Sequence, residues 1–160
     1  MLTIHVLGKP ELYTGNNYPI VFPTLQMELI FAYIVCAGHP VAHTEIAELF
    51  WSHLTLAGGL AKWHEILPML RNQLGTHLEV TPQQVYLNQS QRQWVDLHEM
   101  EYLLADKETA AVQKSERLQT FYRGELLAGV AVPQSSQPGK WLHQKRQSVQ
   151  QKVMAAVHEL

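Results

Sequence analysis

The first third of the chain combines short β-type runs with one long apolar segment. Residues 2–8 read LTIHVLG and residues 12–22 read LYTGNNYPIVF, in which Thr-Gly-Asn-Asn is a strong turn signal between two extended runs. The pattern predicts a small N-terminal antiparallel sheet. The apolar run that follows, LQMELIFAYIVCAG, predicts a buried central helix that begins at an N-cap, Thr24, and ends at Gly38 and Pro40.

The middle third carries helical spacing followed by a second turn signal. The segment EIAELFW (45–51) predicts a helix capped by Thr44. In 58–74, apolar residues recur at steps of three and four and predict a third helix with a stripe facing the core. In 76–88, the β runs LEV and VYL flank Thr-Pro-Gln-Gln and predict a hairpin. The stripe consists of Leu60, Trp63, Leu67, Leu70 and Leu74.

The last third is helical. Two amphipathic helices are predicted over 95–106 and 107–122, then a loop over 130–139, then a helix from about Trp141 to the end of the chain.

An N-terminal sheet, three helices and a hairpin form the layout of a winged helix, in which the third helix enters the major groove and the hairpin is the wing. The predicted class is therefore α+β, with a winged-helix DNA-binding-type domain (1–94) followed by an all-α segment (95–160).

Composition and charge narrow the possible functions. Hydrophobic residues make up 46% of the 160 residues, which excludes a disordered chain. The lone cysteine, Cys36, lies in an apolar run too short to cross a bilayer, and the N-terminus lacks a signal peptide, so a cytoplasmic protein is expected. The net charge is −2 and no segment is a basic block, which is a deficit for a protein that binds nucleic acid through phosphates.

Five stretches in order resemble the Streptomyces antibiotic regulatory protein (SARP) family, in which a winged helix precedes a bacterial transcriptional activator domain (BTAD). LTIHVLGKPEL is similar to the opening strand of that family, PVAHTEIAELFW to its second helix, and LPMLRNQLG to the end of its recognition helix. WVDLHEMEYLL resembles the start of the activator domain, with Met100 in place of Phe, and FYRGELLAG with Trp141 resembles a later part of it.

The resemblance implies a transcriptional activator that binds direct repeats in double-stranded DNA and has a helical, TPR-like activator segment. It implies RNA polymerase and a second copy of the chain as further partners. Neither a membrane partner nor a cofactor is predicted. We expect DNA contacts from the outer face of the 58–74 helix and from the wing, with Arg71 on phosphate. The predicted contact residues are Lys62, His64, Arg71, Asn72, Gln83 and Gln84.

An alternative of a different class is a protein-interaction or signalling module that keeps the winged-helix shape and has lost DNA binding. Ala61, Pro68 and Met69 on the outer face favour it, because exposed apolar groups suit a protein partner better than a phosphate. In the SARP family, the positions matching His64, Glu65 and Met69 are commonly basic. Pro68 also predicts that the helix either bends or consists of two pieces.

Nine histidines raise the question of a metal site, but their spacing assembles no tetrahedral ligand set, and no metal site is predicted. A milder hypothesis is that falling pH charges several of them and strengthens anion binding. The histidines concerned are His43, His53, His64 and His77. No nucleophile with a neighbouring base is recognisable, so neither catalytic residues nor an enzyme are expected.

Overall fold

The computed structural model describes residues 1–158, which form six α-helices, one short 3-10 helix (Gly75–His77) and six strands. The helices are Leu25–Ala37 (α1), His43–Phe50 (α2), Leu56–Leu74 (α3), Asp96–Ala105 (α4), Ala111–Phe121 (α5) and Gln137–His158 (α6). The strands are Leu2–His5 (β1), Glu11–Tyr13 (β2), Val41–Ala42 (β3), Leu78–Val80 (β4), Gln84–Leu87 (β5) and Gln93–Val95 (β6). The predicted α+β class is confirmed. The last helix begins four residues before Trp141, and the final positions of its predicted span lie outside the described residues.

The contacts divide the chain into two compact units. The first comprises Met1–Leu2 and Thr14–Gln93, and the second comprises Thr3–Tyr13 and Trp94–Leu160. The break after Gln93 falls one residue before the boundary expected from the sequence, whereas the segment Thr3–Tyr13 packs with the C-terminal helices. The assignment of 1–94 to DNA binding and 95–160 to an activator segment remains a prediction.

The first unit packs three helices against a small antiparallel sheet of order β3-β5-β4. The predicted hairpin is confirmed, with Leu78 opposite Leu87 and Val80 opposite Val85. Its core is formed by residues that are completely buried, and every such side chain contributes about 1.5–3 kcal/mol by leaving water. These residues include Ile30, Val35, Val41, Ile46, Trp63, Leu70 and Val85.

Two predicted helix starts have different outcomes. The Thr24 hydroxyl accepts a hydrogen bond from the Met27 amide, so the N-cap predicted for α1 is confirmed. The Thr44 cap is wrong, because α2 begins at His43 and its N-cap residue, Ala42, makes no side-chain cap bond. The His43 amide donates instead to the Gln83 carbonyl of the hairpin, at 3.1 Å. A tertiary hydrogen bond thus satisfies an amide at the helix N-terminus that a capping side chain would otherwise satisfy.

The N-terminal sheet differs from the prediction in its third strand. The predicted turn is present, since the Asn17 amide donates to the Thr14 carbonyl and Asn17 has φ of 63°. The run after it forms no regular strand, and β6 completes the sheet in the order β2-β1-β6. Pro19 lies in that run, and proline has no N–H with which to continue a ladder.

A buried carboxylate organises the second unit. Asp96, at the first position of α4, has 0% of its surface exposed. Its oxygens accept hydrogen bonds from the backbone amides of Val6 at 2.9 Å, Leu7 at 2.9 Å and Leu97 at 2.8 Å. The charge therefore stabilises the helix N-terminus and satisfies the amides that follow β1.

Arg146 of α6 fixes the loop that precedes this helix. Its guanidinium donates to the carbonyls of Leu126 and Leu127, both at 2.8 Å, and to that of Val130 at 3.1 Å. Leu127 has a positive φ of 52°, which is unusual for a branched side chain. Three charge-assisted hydrogen bonds hold the loop in that conformation.

We predict that Asp96→Asn lowers the free energy of unfolding by about 2–4 kcal/mol, because the amide NH2 would face backbone N–H donors in a buried site. Urea denaturation measures the change. Glu99→Gln is the matched control on the same helix turn, where the side chain is exposed and a change within about 0.5 kcal/mol is expected. Equal midpoints for the two variants would contradict the role given to Asp96.

Candidate nucleic-acid interface

The candidate interface is centred on α3, which runs without interruption through 19 residues. The Thr55 hydroxyl caps it by accepting from the Gly58 amide at 3.1 Å, and the Gly75 amide closes it on the Arg71 carbonyl. Of the two conformations expected at Pro68, two separate helix pieces are not observed. The predicted core stripe is buried at Trp63, Leu67, Leu70 and Leu74, whereas Leu60 is half-buried.

A glycine allows α3 to pack closely on α2. A Cβ atom at Gly59 would lie 3.2 Å from the Ala47 carbonyl oxygen and 3.3 Å from the Trp51 Cβ. The backbone of α3 therefore approaches α2 more closely than any other residue would permit without movement. This contact sets how α3 lies on the unit, and so which of its residues face outward.

The outer face of α3 is exposed as expected. The four helical candidates, Lys62, His64, Arg71 and Asn72, are all exposed. Three of them (His64, Arg71 and Asn72) line one surface groove of about 390 Å³. Leu67 and Pro68 also line this groove, so it combines hydrogen-bond donors with apolar groups.

Arg71 also lines a second groove, of about 350 Å³, at the end of α3. Glu79 lies in this groove with Asn88, whose amide nitrogen donates to the Glu79 carboxylate at 3.2 Å. The carboxylate would repel a phosphate, whereas the first groove contains no acidic residue. The groove lined by His64 is thus the better anion site of the two.

The hairpin turn presents the two remaining candidates, Gln83 and Gln84, whose side chains are exposed. Its backbone is held by Thr81: the hydroxyl accepts from the Gln84 amide at 3.0 Å and from the Gln83 amide at 3.3 Å. The Thr81 amide donates to the Gln84 carbonyl at 2.9 Å. Polar, uncharged side chains thus project from a turn of defined shape.

His43 joins the helix and the hairpin turn, and sequence reasoning did not single it out for this role. The Trp63 indole N–H of α3 donates to His43 Nδ1 at 2.9 Å, and His43 Nε2 lies 2.8 Å from the Thr81 carbonyl. Both rings are buried, with 6% of His43 and 0% of Trp63 exposed. A buried polar ring with both nitrogens satisfied is a strong positional constraint. No local signal in the sequence marks this role, because the two partners lie 20 and 38 residues away along the chain.

The histidines grouped by the pH hypothesis occupy different environments. His53 and His64 are exposed, whereas His43 is buried between helix and hairpin. Burial, and secondarily the positive charge of the N-terminal ammonium group, lowers the pKa of His77, which works against charging this residue on mild acidification. The four residues therefore cannot act as one group. Across residues 1–158, no cluster of three or more side chains has the makings of a metal site.

A comparison with solved structures finds a likeness over almost the whole chain. The structure of Mycobacterium tuberculosis EmbR in complex with a low-affinity phosphopeptide matches 97% of this chain with a TM-score of 0.73 and 18% sequence identity. This chain therefore has the fold of the matched part of EmbR. It spans 43% of the length of the EmbR chain. No protein-family model and no curated protein matches the sequence.

No helix within residues 1–158 combines the length and the apolar character needed to cross a bilayer.

We predict that Pro68→Ala raises the free energy of unfolding by about 1–3 kcal/mol, because alanine restores a helical N–H and removes the ring clash with the preceding turn. Pro68 is exposed, so the change removes no core packing. Thermal or urea unfolding measures it. Glu65→Ala, one turn earlier on the same face, is the control, and a Pro68→Ala protein no more stable than this control would contradict the prediction.

Proposed function

We propose that this chain is a DNA-binding transcriptional regulator of the SARP type, with α3 as the recognition helix and the β4–β5 hairpin as the wing. The observation that carries the proposal is the groove on α3, where His64, Arg71 and Asn72 present donors together to solvent. Arg71 supplies a cation for phosphate, and Asn72 supplies an amide of the kind that pairs with adenine in a major groove.

The fold likeness supports the same assignment, since the matched protein is a regulator rather than an enzyme. We infer that Lys62 adds a phosphate contact on α3 and that Gln83 and Gln84 contact the DNA backbone from the wing. A single copy of the chain has few cations on this face, so its own affinity for DNA is modest. Binding as a homodimer to direct repeats would raise the overall affinity, because two sets of modest contacts act together. The helices that follow Trp94 are the segment proposed to act as an activator domain toward RNA polymerase.

A protein-interaction module remains the second candidate, and the exposure of Met69 favours it. This side chain is 46% exposed on the outer face of α3, beside the exposed Pro68. An apolar pair on the surface contributes little to phosphate binding and suits a protein partner. The two candidates differ in whether affinity for DNA exists and depends on salt.

We predict that the chain binds a mixed-sequence duplex, with an affinity that falls steeply between about 50 and 200 mM salt. Arg71→Ala and Lys62→Ala should each weaken binding and reduce the slope of log K against log salt by about 0.9, the value for one phosphate contact. Fluorescence anisotropy measures both quantities. A duplex with two copies of a bound sequence in tandem tests the direct-repeat arrangement.

Lys107→Ala is the matched control, because Lys107 is an exposed lysine far along the chain from α3, and its slope should equal that of the wild type. Circular dichroism confirms that each variant is folded. A folded chain that shows no binding at the lower salt would refute the DNA-binding proposal and favour the interaction module.

A further inference from the structure

We propose that His43 is a positioning residue that holds the recognition helix and the wing in register, and that its protonation releases the wing and weakens DNA binding. The effect on DNA rests on the function proposed above, whereas the link between helix and hairpin rests on geometry alone. Protonation of His43 is thus expected to lower the affinity for DNA, whereas an added positive charge generally strengthens binding to an anion.

The hydrogen-bond partners of His43 determine which of its ring nitrogens carries the proton. The Trp63 indole nitrogen is a donor only, so His43 Nδ1 must accept and carries no proton. The Thr81 carbonyl is an acceptor only, so Nε2 must carry the proton and donate. The ring is therefore neutral, in its Nε2–H form, in the structure that joins α3 to the hairpin.

Protonation of Nδ1 would place an N–H against the Trp63 N–H, at a site where Trp63 is wholly buried and has no water to turn to. Two donors cannot share that contact, so the imidazole must leave it. The ring also holds the Thr81 carbonyl, and the His43 amide holds the Gln83 carbonyl at 3.1 Å. Movement of the ring therefore disturbs the turn that carries Gln83 and Gln84.

Among the described contacts of His43, the one with a titratable side chain is to His64. On α3, the His64 ring meets the His43 ring edge-on, with centroids 6.0 Å apart. On α2 itself, Glu45 accepts a hydrogen bond from the Tyr33 hydroxyl of α1. On the hairpin, Glu79 is bonded to Asn88, and the atom facing His43 is the neutral Thr81 carbonyl.

His64 would act in the opposite sense. It is exposed and lines the α3 groove, so a proton on its ring attracts phosphate, whereas a proton on His43 disrupts the support of the wing. The pH profile of DNA binding by the wild type is thus a sum of two effects. A variant at each position separates them.

The first experiment uses the free chain and needs no DNA. Long-range proton–nitrogen NMR spectra at pH 8 should show His43 in the Nε2–H form, with the Trp63 indole N–H hydrogen-bonded. As the pH is lowered until the His43 ring signals report protonation, the Trp63 indole signal and the amides of Gln83 and Gln84 should shift with the same midpoint as that ring. The other tautomer at pH 8, or turn amides that do not follow the indole, would overturn the proposal.

The second experiment compares duplex affinity below and above the midpoint found by NMR, at constant ionic strength. His43→Gln keeps a donor for Thr81 and does not titrate, so it should retain more of its affinity in acid than the wild type, by about fivefold, the equivalent of one hydrogen bond. His64→Gln is the control and should retain less. An equal or lower retention in folded His43→Gln would overturn the proposal.

If His43→Gln does not fold, Trp63→Phe replaces it, because removal of the indole donor leaves a proton on Nδ1 unopposed. Trp63→Phe should then also retain more of its DNA affinity in acid than the wild type does. The absence of this gain counts against the proposal. If no variant and no wild-type chain binds DNA, the function proposed above fails. The NMR titration then still decides whether His43 joins helix and hairpin.

Discussion

The imidazole of His43 is the constraint on which the presentation of the candidate interface depends. It accepts from an indole on α3 and donates to a carbonyl on the hairpin, so a single buried ring determines where both surfaces lie. Either hydrogen bond alone contributes only about 1 kcal/mol, but an unsatisfied partner in a dry core costs more. The His43 ring therefore holds the two elements mainly because breaking either hydrogen bond would leave a buried polar group unsatisfied, and less because of the net strength of the bonds.

The second unit relies on the same physical principle with a different group. Asp96 takes three backbone amides out of solvent and satisfies them with one charge. In both units a polar side chain that is buried and fully bonded joins segments distant in sequence. Apolar burial supplies most of the stability, but it is non-directional, and these bonds select one arrangement among several compact ones.

The candidate interface has an unusual balance of forces for a DNA-binding surface. Its cations are few, its groove is also lined by the apolar Leu67 and Pro68, and the acidic Glu79 lies near the far end of α3. Such a surface releases fewer counterions than a strongly basic one, so the geometry of its hydrogen-bond donors carries a larger share of binding. This gives the alignment of helix and hairpin more weight than it has in a strongly basic domain.

The sequence by itself determined the elements whose signals are local. The periodic leucines of α3, the Thr24 cap and the turn at Thr-Pro-Gln-Gln follow from spacing and capping chemistry, which act within a few residues. It could not predict that β6 completes the N-terminal sheet or that the hairpin supports the start of α2, because those bonds join residues far apart in the chain. The same reason explains why the sequence grouped His43 with the other histidines and did not indicate its linking role: a histidine becomes a structural link only when folding brings Trp63 and Thr81 to its two nitrogens.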